Sequence, residues 1–439
     1  MALSLWLYNL VLIAGVIFAS FFWLSYLFLV PKARAGFWEK LGHYKPEWLE
    51  AVANLPNDKK RIWFHAVSVG EFNAIRPLIN DLANDYVILI STTTKTAQEL
   101  ARRVYPQHIV FYCPFDFRSV LHRLLRHIKP DLVILTETEL WPNMVDVIAR
   151  RHNCPILLIN GRISKRSFKG YQYIRPLMEN MLHQINHCYM QSQGDANRIL
   201  ALGDLSIEEI TVVGNLKFDI HPIINPIQKD ILAHLLSFSP QDTVVTFAST
   251  HSGEDAPLLD VFTTLKKDFP ELKLLLVPRH PERREEIRNI LNVKGLGYSL
   301  RSRLSEEHPN AEDIVLVDSI GELVLLYSLS SMAVLGGSFS DKGGQNPLEP
   351  ISQGIPVLFG PDMSNFMEIS QLISENEAGY QAQNYDDLEH LITQLLTQPE
   401  QCATLVENGQ QLLMNNRGTK DLLSIGIRDI LEHRQAITV

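Results

Sequence analysis

Two rhythms of apolar residues run through this chain. Short continuous apolar runs occur at Ile62–Val67, Tyr86–Ser91, His108–Tyr112, Leu132–Thr136, Ile156–Asn160 and His187–Gln191. They return at Thr243–Ser249, Leu272–Val277, Ile314–Val317, Met332–Leu335 and Pro356–Phe359. Runs of this length, rich in Val, Ile and Leu, predict strands buried on both faces. Between them, stretches such as Ala74–Leu82, Thr96–Val104 and Val120–Ile128 repeat their apolar residues every three to four positions and predict helices. Such alternation builds βαβ units and a parallel sheet. The pattern breaks around His221–Ser239, where Pro222, Pro226 and Pro240 punctuate a linker with one short helix. The expected fold is α/β, with two Rossmann-like domains facing a cleft. The expected boundaries are 32–220 for the first domain, 221–240 for the linker and 241–415 for the second domain. A helical tail at 416–439 is expected to pack back across the hinge.

Residues 1–31 follow neither rhythm. No charged side chain precedes Lys32, and Leu3 to Val30 is dominated by Leu, Val, Ile and Phe. A helix needs roughly 20 apolar residues to span a bilayer, so this run is long enough with some tilt. Trp6 and the Trp23–Tyr26 segment suit the two interfacial belts, and Lys32, Arg34 and Lys40 follow directly. The positive-inside rule then places the rest of the chain in the cytoplasm. A cleaved signal peptide would carry a basic segment first and a small-residue cleavage site, and neither stands out. An uncleaved anchor is the expectation, with an interfacial segment as the alternative. If the anchor serves only for attachment, removing it should spare turnover of a detergent-dispersed substrate.

At 439 residues the chain exceeds one ordinary core, which fits two domains. A net charge of −9 argues against nucleic acid as the main partner. The cysteines Cys113, Cys154, Cys188 and Cys402 have no metal-ligand spacing, which suits a reducing compartment without structural zinc. Neither half opens with G-x-G-x-x-G, which weighs against a dinucleotide cofactor.

Several motifs sit where strands end. In His65-Ala-Val-Ser-Val-Gly-Glu71, a strand leads into Ser68 and Gly70, and a helix begins near Glu71. A carboxylate there serves either as a cleft base or as a partner of the helix dipole. Thr136-Glu137-Thr-Glu139-Leu-Trp141-Pro142-Asn143 puts two acids after a buried strand. Their i, i+2 spacing aims both the same way if the strand continues; the alternative is a loop anchored by Trp141 and Pro142. Lys217, in Gly214-Asn-Leu-Lys-Phe-Asp219, is either a phosphate ligand or a solvated surface lysine. Asn160-Gly-Arg162-Ile-Ser164-Lys165-Arg166-Ser167 is a cationic, hydroxyl-rich loop.

The second half adds Ala248-Ser-Thr-His-Ser-Gly-Glu254, Pro278-Arg279-His-Pro-Glu-Arg283 and Gly336-Gly-Ser-Phe339 leading to Gly343-Gly-Gln345-Asn346-Pro347-Leu348-Glu349-Pro350. Arg279 suits a phosphate, the first glycines suit close approach of an anion, and Glu349 suits a ribose. Three such loops on successive strand ends point to a nucleotide. The residues themselves thus reach a two-domain nucleotide-sugar enzyme, without naming the sugar.

The motifs HAVSVGE, TETELWPN, NGRISKRS, GNLKFD, HSGE, PRHPER and NPLEP, in this order, closely resemble the Kdo (3-deoxy-D-manno-octulosonic acid) transferase family of Gram-negative lipopolysaccharide synthesis. The resemblance implies an inverting, metal-independent glycosyltransferase of the GT-B type. It would use CMP-Kdo as donor substrate and no cofactor, with lipid IVA, the lipid A precursor, as acceptor at the inner membrane. Glu71 would be the general base, Glu137 a transition-state partner with Glu139 as second candidate, and Lys217 and Arg279 stabilisers of the departing phosphate. Pro278, Arg279, Ile320, Gly321, Glu322, Asn346, Pro347, Leu348 and Glu349 would bind CMP. No motif names a protein partner. Gln345 stands where the family more often has histidine, and Ala97 where it has glycine. The rivals are a GT-B enzyme using a UDP-sugar and another lipid-linked acceptor, and a non-catalytic membrane scaffold.

Overall fold

The computed structural model describes residues 3–29, 34–203, 205–220, 224–239 and 241–437. Lys32, Pro222 and Pro240, and the side chains of Trp23–Tyr26, lie outside the described residues. The chain forms two compact units, Met1–Asp219 with Arg417–Val439, and Ile220–Asn416.

The first unit holds strands β1 (Arg61–His65), β2 (Val87–Thr92), β3 (Ile109–Tyr112), β4 (Leu132–Thr136), β5 (Ile156–Gly161), β6 (His187–Met190) and β7 (Ile210–Val212). They pair in parallel in the order β3-β2-β1-β4-β5-β6-β7. Side chains alternate faces along each strand, so Trp63, Val133 and Leu158 enter one apolar cluster. Phe64, Ile134 and Ile159 enter the cluster on the opposite face. Both faces are covered by helices, as a parallel sheet requires. The order reverses between β1 and β4, and the crevice beyond the carboxyl ends of those strands is where such sheets bind ligands.

The second unit repeats the plan with β8 (Thr243–Thr250), β9 (Leu272–Pro278), β10 (Ser299–Leu300), β11 (Ile314–Leu316), β12 (Met332–Leu335), β13 (Val357–Phe359) and β14 (Tyr380–Gln381). The order is β10-β11-β9-β8-β12-β13-β14, reversing between β8 and β12. The helix Pro226–Leu236, inside the stretch expected as a linker, buries Leu232 and Leu236 against Val244, Leu275 and Val315 of this sheet. Asn225 caps it, its Oδ1 accepting from Ile227 N–H at 3.0 Å.

The N-terminal helix Leu3–Leu29 is, among the described residues, the one helix long and apolar enough to cross a membrane. The C-terminal helix Thr419–Ile437 belongs to the first unit: Leu423, Ile427 and Leu431 join the cluster that holds Phe64 and Ile134. Its start is fixed by Asp219, whose carboxylate accepts from Gly418 N–H at 2.7 Å and Lys420 N–H at 2.6 Å. Thr419 Oγ1 donates to Val213 O at 2.7 Å. Asp219→Ala removes this cap and strands two amides. The expected loss is about 1–2 kcal/mol, read as a lower thermal midpoint of the detergent-solubilised chain.

Candidate active site

At the end of β1 the chain turns through Ala66 and Val67 into the helix Val69–Leu82, with Ser68 as its N-cap. Ser68 Oγ accepts from Glu71 N–H at 3.3 Å, and its hydroxyl donates to Glu71 Oε1 at 2.8 Å. Glu71 Oε2 accepts from Val67 N–H at 2.7 Å. The helix starts two residues before the position expected, and Glu71 is part of its cap. Helix partner and candidate base are therefore the same carboxylate. Burial pushes this carboxyl up to about 7, against the pull of the Val67 and Ser68 hydrogen bonds, and the charges of Glu137 and Glu139 raise it further. A carboxyl balanced near neutrality at a topological switch point is suited to accept a proton.

The strand β4 does not continue into the acidic motif. It ends at Thr136, and Glu137 takes φ 58°, a left-handed conformation rare for a side chain of this size. The expected i, i+2 alignment of Glu137 and Glu139 therefore fails, because it needs extended backbone. Instead Glu137 Oε1 faces Lys217 Nζ at 3.5 Å, in a half-buried ion pair. Glu139 accepts from Trp141 Nε1 at 3.2 Å, and burial raises its carboxyl. Thr138 Oγ1 donates to Arg162 O, tying the loop to the segment after β5.

Lys217 owes its place to two asparagines. Fully buried Asn160 accepts from Leu216 N–H at 3.0 Å, and Asn215 Oδ1 accepts from Lys217 N–H at 3.0 Å. Glu71, Glu137, Glu139 and Lys217 thus come together at the carboxyl ends of the sheet. Lys165 and Arg166 are exposed at the start of the helix Lys165–Tyr173, which Ser164 caps through Ser167 N–H at 3.0 Å.

In the second unit the organising group is one that sequence reasoning read only as part of a polar turn. Glu254 is almost fully buried, and its carboxylate accepts from His251 N–H at 2.8 Å, Gly337 N–H at 2.7 Å and Phe339 N–H at 3.1 Å. It clamps the turn after β8 to the loop after β12, the pair flanking the switch point. A Cβ on Gly336 would lie 2.5 Å from Thr250 Cα, so this glycine serves a close backbone approach within the protein rather than an anion.

Of the two arginines in PRHPER, Arg283 is committed: it pairs with Asp255 and with Glu286 at 3.0 Å. Arg279 is exposed, and among the described residues its side chain makes no hydrogen bond or ion pair. It lies within electrostatic reach of Glu349, whose carboxyl is raised by burial and lowered by Asn346 Nδ2 at 3.4 Å and by Arg279. Asn346 Oδ1 also accepts from Leu348 N–H at 3.2 Å, starting the helix Leu348–Ser352 after Pro347. Gln345 Nε2 lies 3.4 Å from His251 Nε2.

Ile320, Gly321 and Glu322 follow β11, which pairs in parallel with β9, and Glu322 directly precedes the helix Leu323–Tyr327. Gly321 and Glu322 line a groove of about 480 Å³ with Arg301, Leu325 and the helix Pro226–Leu236. Glu322 is paired with Arg301 at 2.6 Å and accepts from Ser319 Oγ. Gly321 has φ 90°, and Ile320 is exposed.

Comparison with known proteins follows the same division. Residues 35–220 match the family described as 3-Deoxy-D-manno-octulosonic-acid transferase (kdotransferase), and residues 256–412 match Glycosyl transferases group 1. A 3-deoxy-D-manno-octulosonic acid transferase of Haemophilus influenzae is 34% identical over 378 residues, covering 84% of this chain and 87% of that protein. One from Rickettsia felis is 32% identical over 366 residues, covering 80% and 77%. In fold, a glycosyltransferase from Rickettsia africae aligns with TM-score 0.54 at 13% identity, covering 86% of this chain and 98% of that structure.

Glu254→Ala leaves one buried and two half-buried amides without their acceptor, the buried one costing about 1–3 kcal/mol. The expected result is a marked drop in thermal midpoint, with Glu254→Gln intermediate.

Proposed function

The chain belongs to the 3-deoxy-D-manno-octulosonic acid (Kdo) transferase family of glycosyltransferases, and from that premise we propose that it moves Kdo from CMP-Kdo onto lipid IVA with inversion. The observation that carries the proposal is Glu71: a carboxyl held near 7 at the switch point, beside the Glu137–Lys217 pair.

In the proposed reaction the acceptor hydroxyl oxygen bonds to the anomeric carbon of Kdo from the face opposite the phosphate. The bond from that carbon to the phosphate oxygen breaks, its electron pair leaving with CMP. The hydroxyl proton passes to Glu71. Charge builds on the leaving phosphate, which Lys217 and Arg279 are proposed to offset. Glu137 fixes Lys217 and supports the positive character that develops on the sugar. Asn346 to Glu349, with Pro278 and Arg279, would hold the nucleotide; Ile320 to Glu322 would contribute backbone. With these cations available, the transfer is proposed to need no metal or cofactor.

The N-terminal helix is proposed as an inner-membrane anchor of the interfacial kind, because Ser4, Tyr8 and Asn9 at its start bond to the unit that follows it, with both units on the cytoplasmic side. A lipid-linked acceptor gives the anchor its purpose, because the substrate's acyl chains stay in the bilayer.

Lipid IVA incubated with the detergent-solubilised protein, CTP, Kdo and a Kdo-activating synthetase should gain the mass of one or more Kdo units. Glu71→Gln should slow this by about 100-fold or more. CMP should inhibit where UDP does not, and EDTA added once CMP-Kdo has formed should leave the rate unchanged. No mass gain from folded protein would reject the donor and favour a UDP-sugar.

A further inference from the structure

The apolar N-terminal helix changes character along its length. Leu10, Val11, Ile13, Val16, Ile17 and Phe18 are exposed, as a lipid-facing helix requires. Before them one face of the helix is bound to protein, while Leu3, Trp6 and Leu7 stay exposed. Leu5 is completely buried, and Ser4 Oγ donates to Pro176 O at 3.2 Å. Tyr8 Oη donates to Asp116 Oδ2 at 2.9 Å. Asn9 and Asn143 exchange two side-chain amide hydrogen bonds, each 2.9 Å.

The partners of these contacts are themselves built into the fold. Asn143 is fully buried and donates through Nδ2 to Asp116 O at 2.7 Å. Asp116 accepts from Asn143 N–H at 3.0 Å and Met144 N–H at 2.8 Å, which caps the helix Pro142–Asp146. That helix begins directly after Glu137, Glu139 and Trp141. The end of the acidic motif is therefore pinned on one side by Asp116 and on the other by a residue of the membrane helix.

We propose that Tyr8 and Asn9 are positioning residues for the transfer. Through Asp116 and Asn143 they hold the helix Pro142–Asp146 and, with it, the loop that presents Glu137 and Glu139. The anchor is then no detachable tether, and its removal lowers turnover even when the acceptor is dispersed in detergent. A polar pair in an apolar helix fits this role, because a reciprocal amide pair is directional where apolar packing is not. The effect on turnover rests on the reading of Glu71, Glu137 and Lys217 given above; the effect on loop order does not.

The test uses the full-length chain in detergent. Asn9→Leu keeps the helix apolar and removes the amide pair together with the local bond from Asn9 Nδ2 to Leu5 O, and Tyr8→Phe removes only the hydroxyl. For Asn9→Leu, amides 138–146 should exchange hydrogen about tenfold faster than in the wild type. kcat should fall about tenfold, with KM for CMP-Kdo and membrane retention unchanged. The double variant Asn9→Leu/Asn143→Leu should be no slower than Asn143→Leu alone, because both act through one contact. Tyr8→Phe should give a smaller change in the same direction. Wild-type exchange at 138–146 in both single variants overturns the proposal, whatever the activity. Faster exchange in the variants, with a wild-type chain that itself transfers no Kdo, would instead reject the proposed function and leave the support role standing.

Discussion

The first unit is arranged around one unfavourable act, the burial of a carboxyl group at the end of β1. A carboxylate taken out of water needs hydrogen-bond donors, and Glu71 obtains two from the turn that precedes its own helix. Those donors keep it ionisable, while burial and two neighbouring acids raise its proton affinity. Burial is the largest cause, Glu137 and Glu139 add smaller ones, and the chain leaves β4 through a left-handed residue at Glu137. Lys217 then pairs with Glu137, and Asn160 and Asn215 hold Lys217. Each of these groups is placed by the need to accommodate another.

The second unit answers the same topological problem differently. Glu254 also follows the first strand of its sheet, but it accepts three backbone amides from the two loops beside the switch point. Committed in this way, it ties the turn after β8 to the loop after β12. Arg279, beside it in the fold plan, keeps its guanidinium exposed and unpaired among the described residues. One duplicated architecture therefore supplies a titrating glutamate in one unit and a structural one in the other.

The long apolar runs made the two sheets legible, since strands buried on both faces leave a continuous signature in the sequence. The strands β7, β10 and β14 were not legible: they are only 3, 2 and 2 residues long, too short for any periodicity. Glu71, Lys217 and Arg279 stood out by their positions after strands. The ion pair between Glu137 and Lys217 did not, because it joins residues far apart in sequence. The left-handed turn at Glu137 carries no glycine or asparagine to announce it. Glu254 was hidden for a similar reason, as its partners are backbone amides of a distant loop, which leave no mark on composition. Tyr8 and Asn9 belong to no motif in the sequence, and only their partners Asp116 and Asn143 in the fold set them apart.

The pH dependence of kcat/KM tests the central claim most directly, because it reports on the free enzyme's essential groups. In the proposed reaction, attack requires Glu71 as the carboxylate, and burial pushes that carboxyl up to about 7, above an ordinary glutamate. The rate should therefore rise with pH through about 7 and level off above it, with the protonated, inactive form dominating below. A rate that is already flat from about pH 5.5 upward, with its inflection at an ordinary glutamate value, would contradict the account.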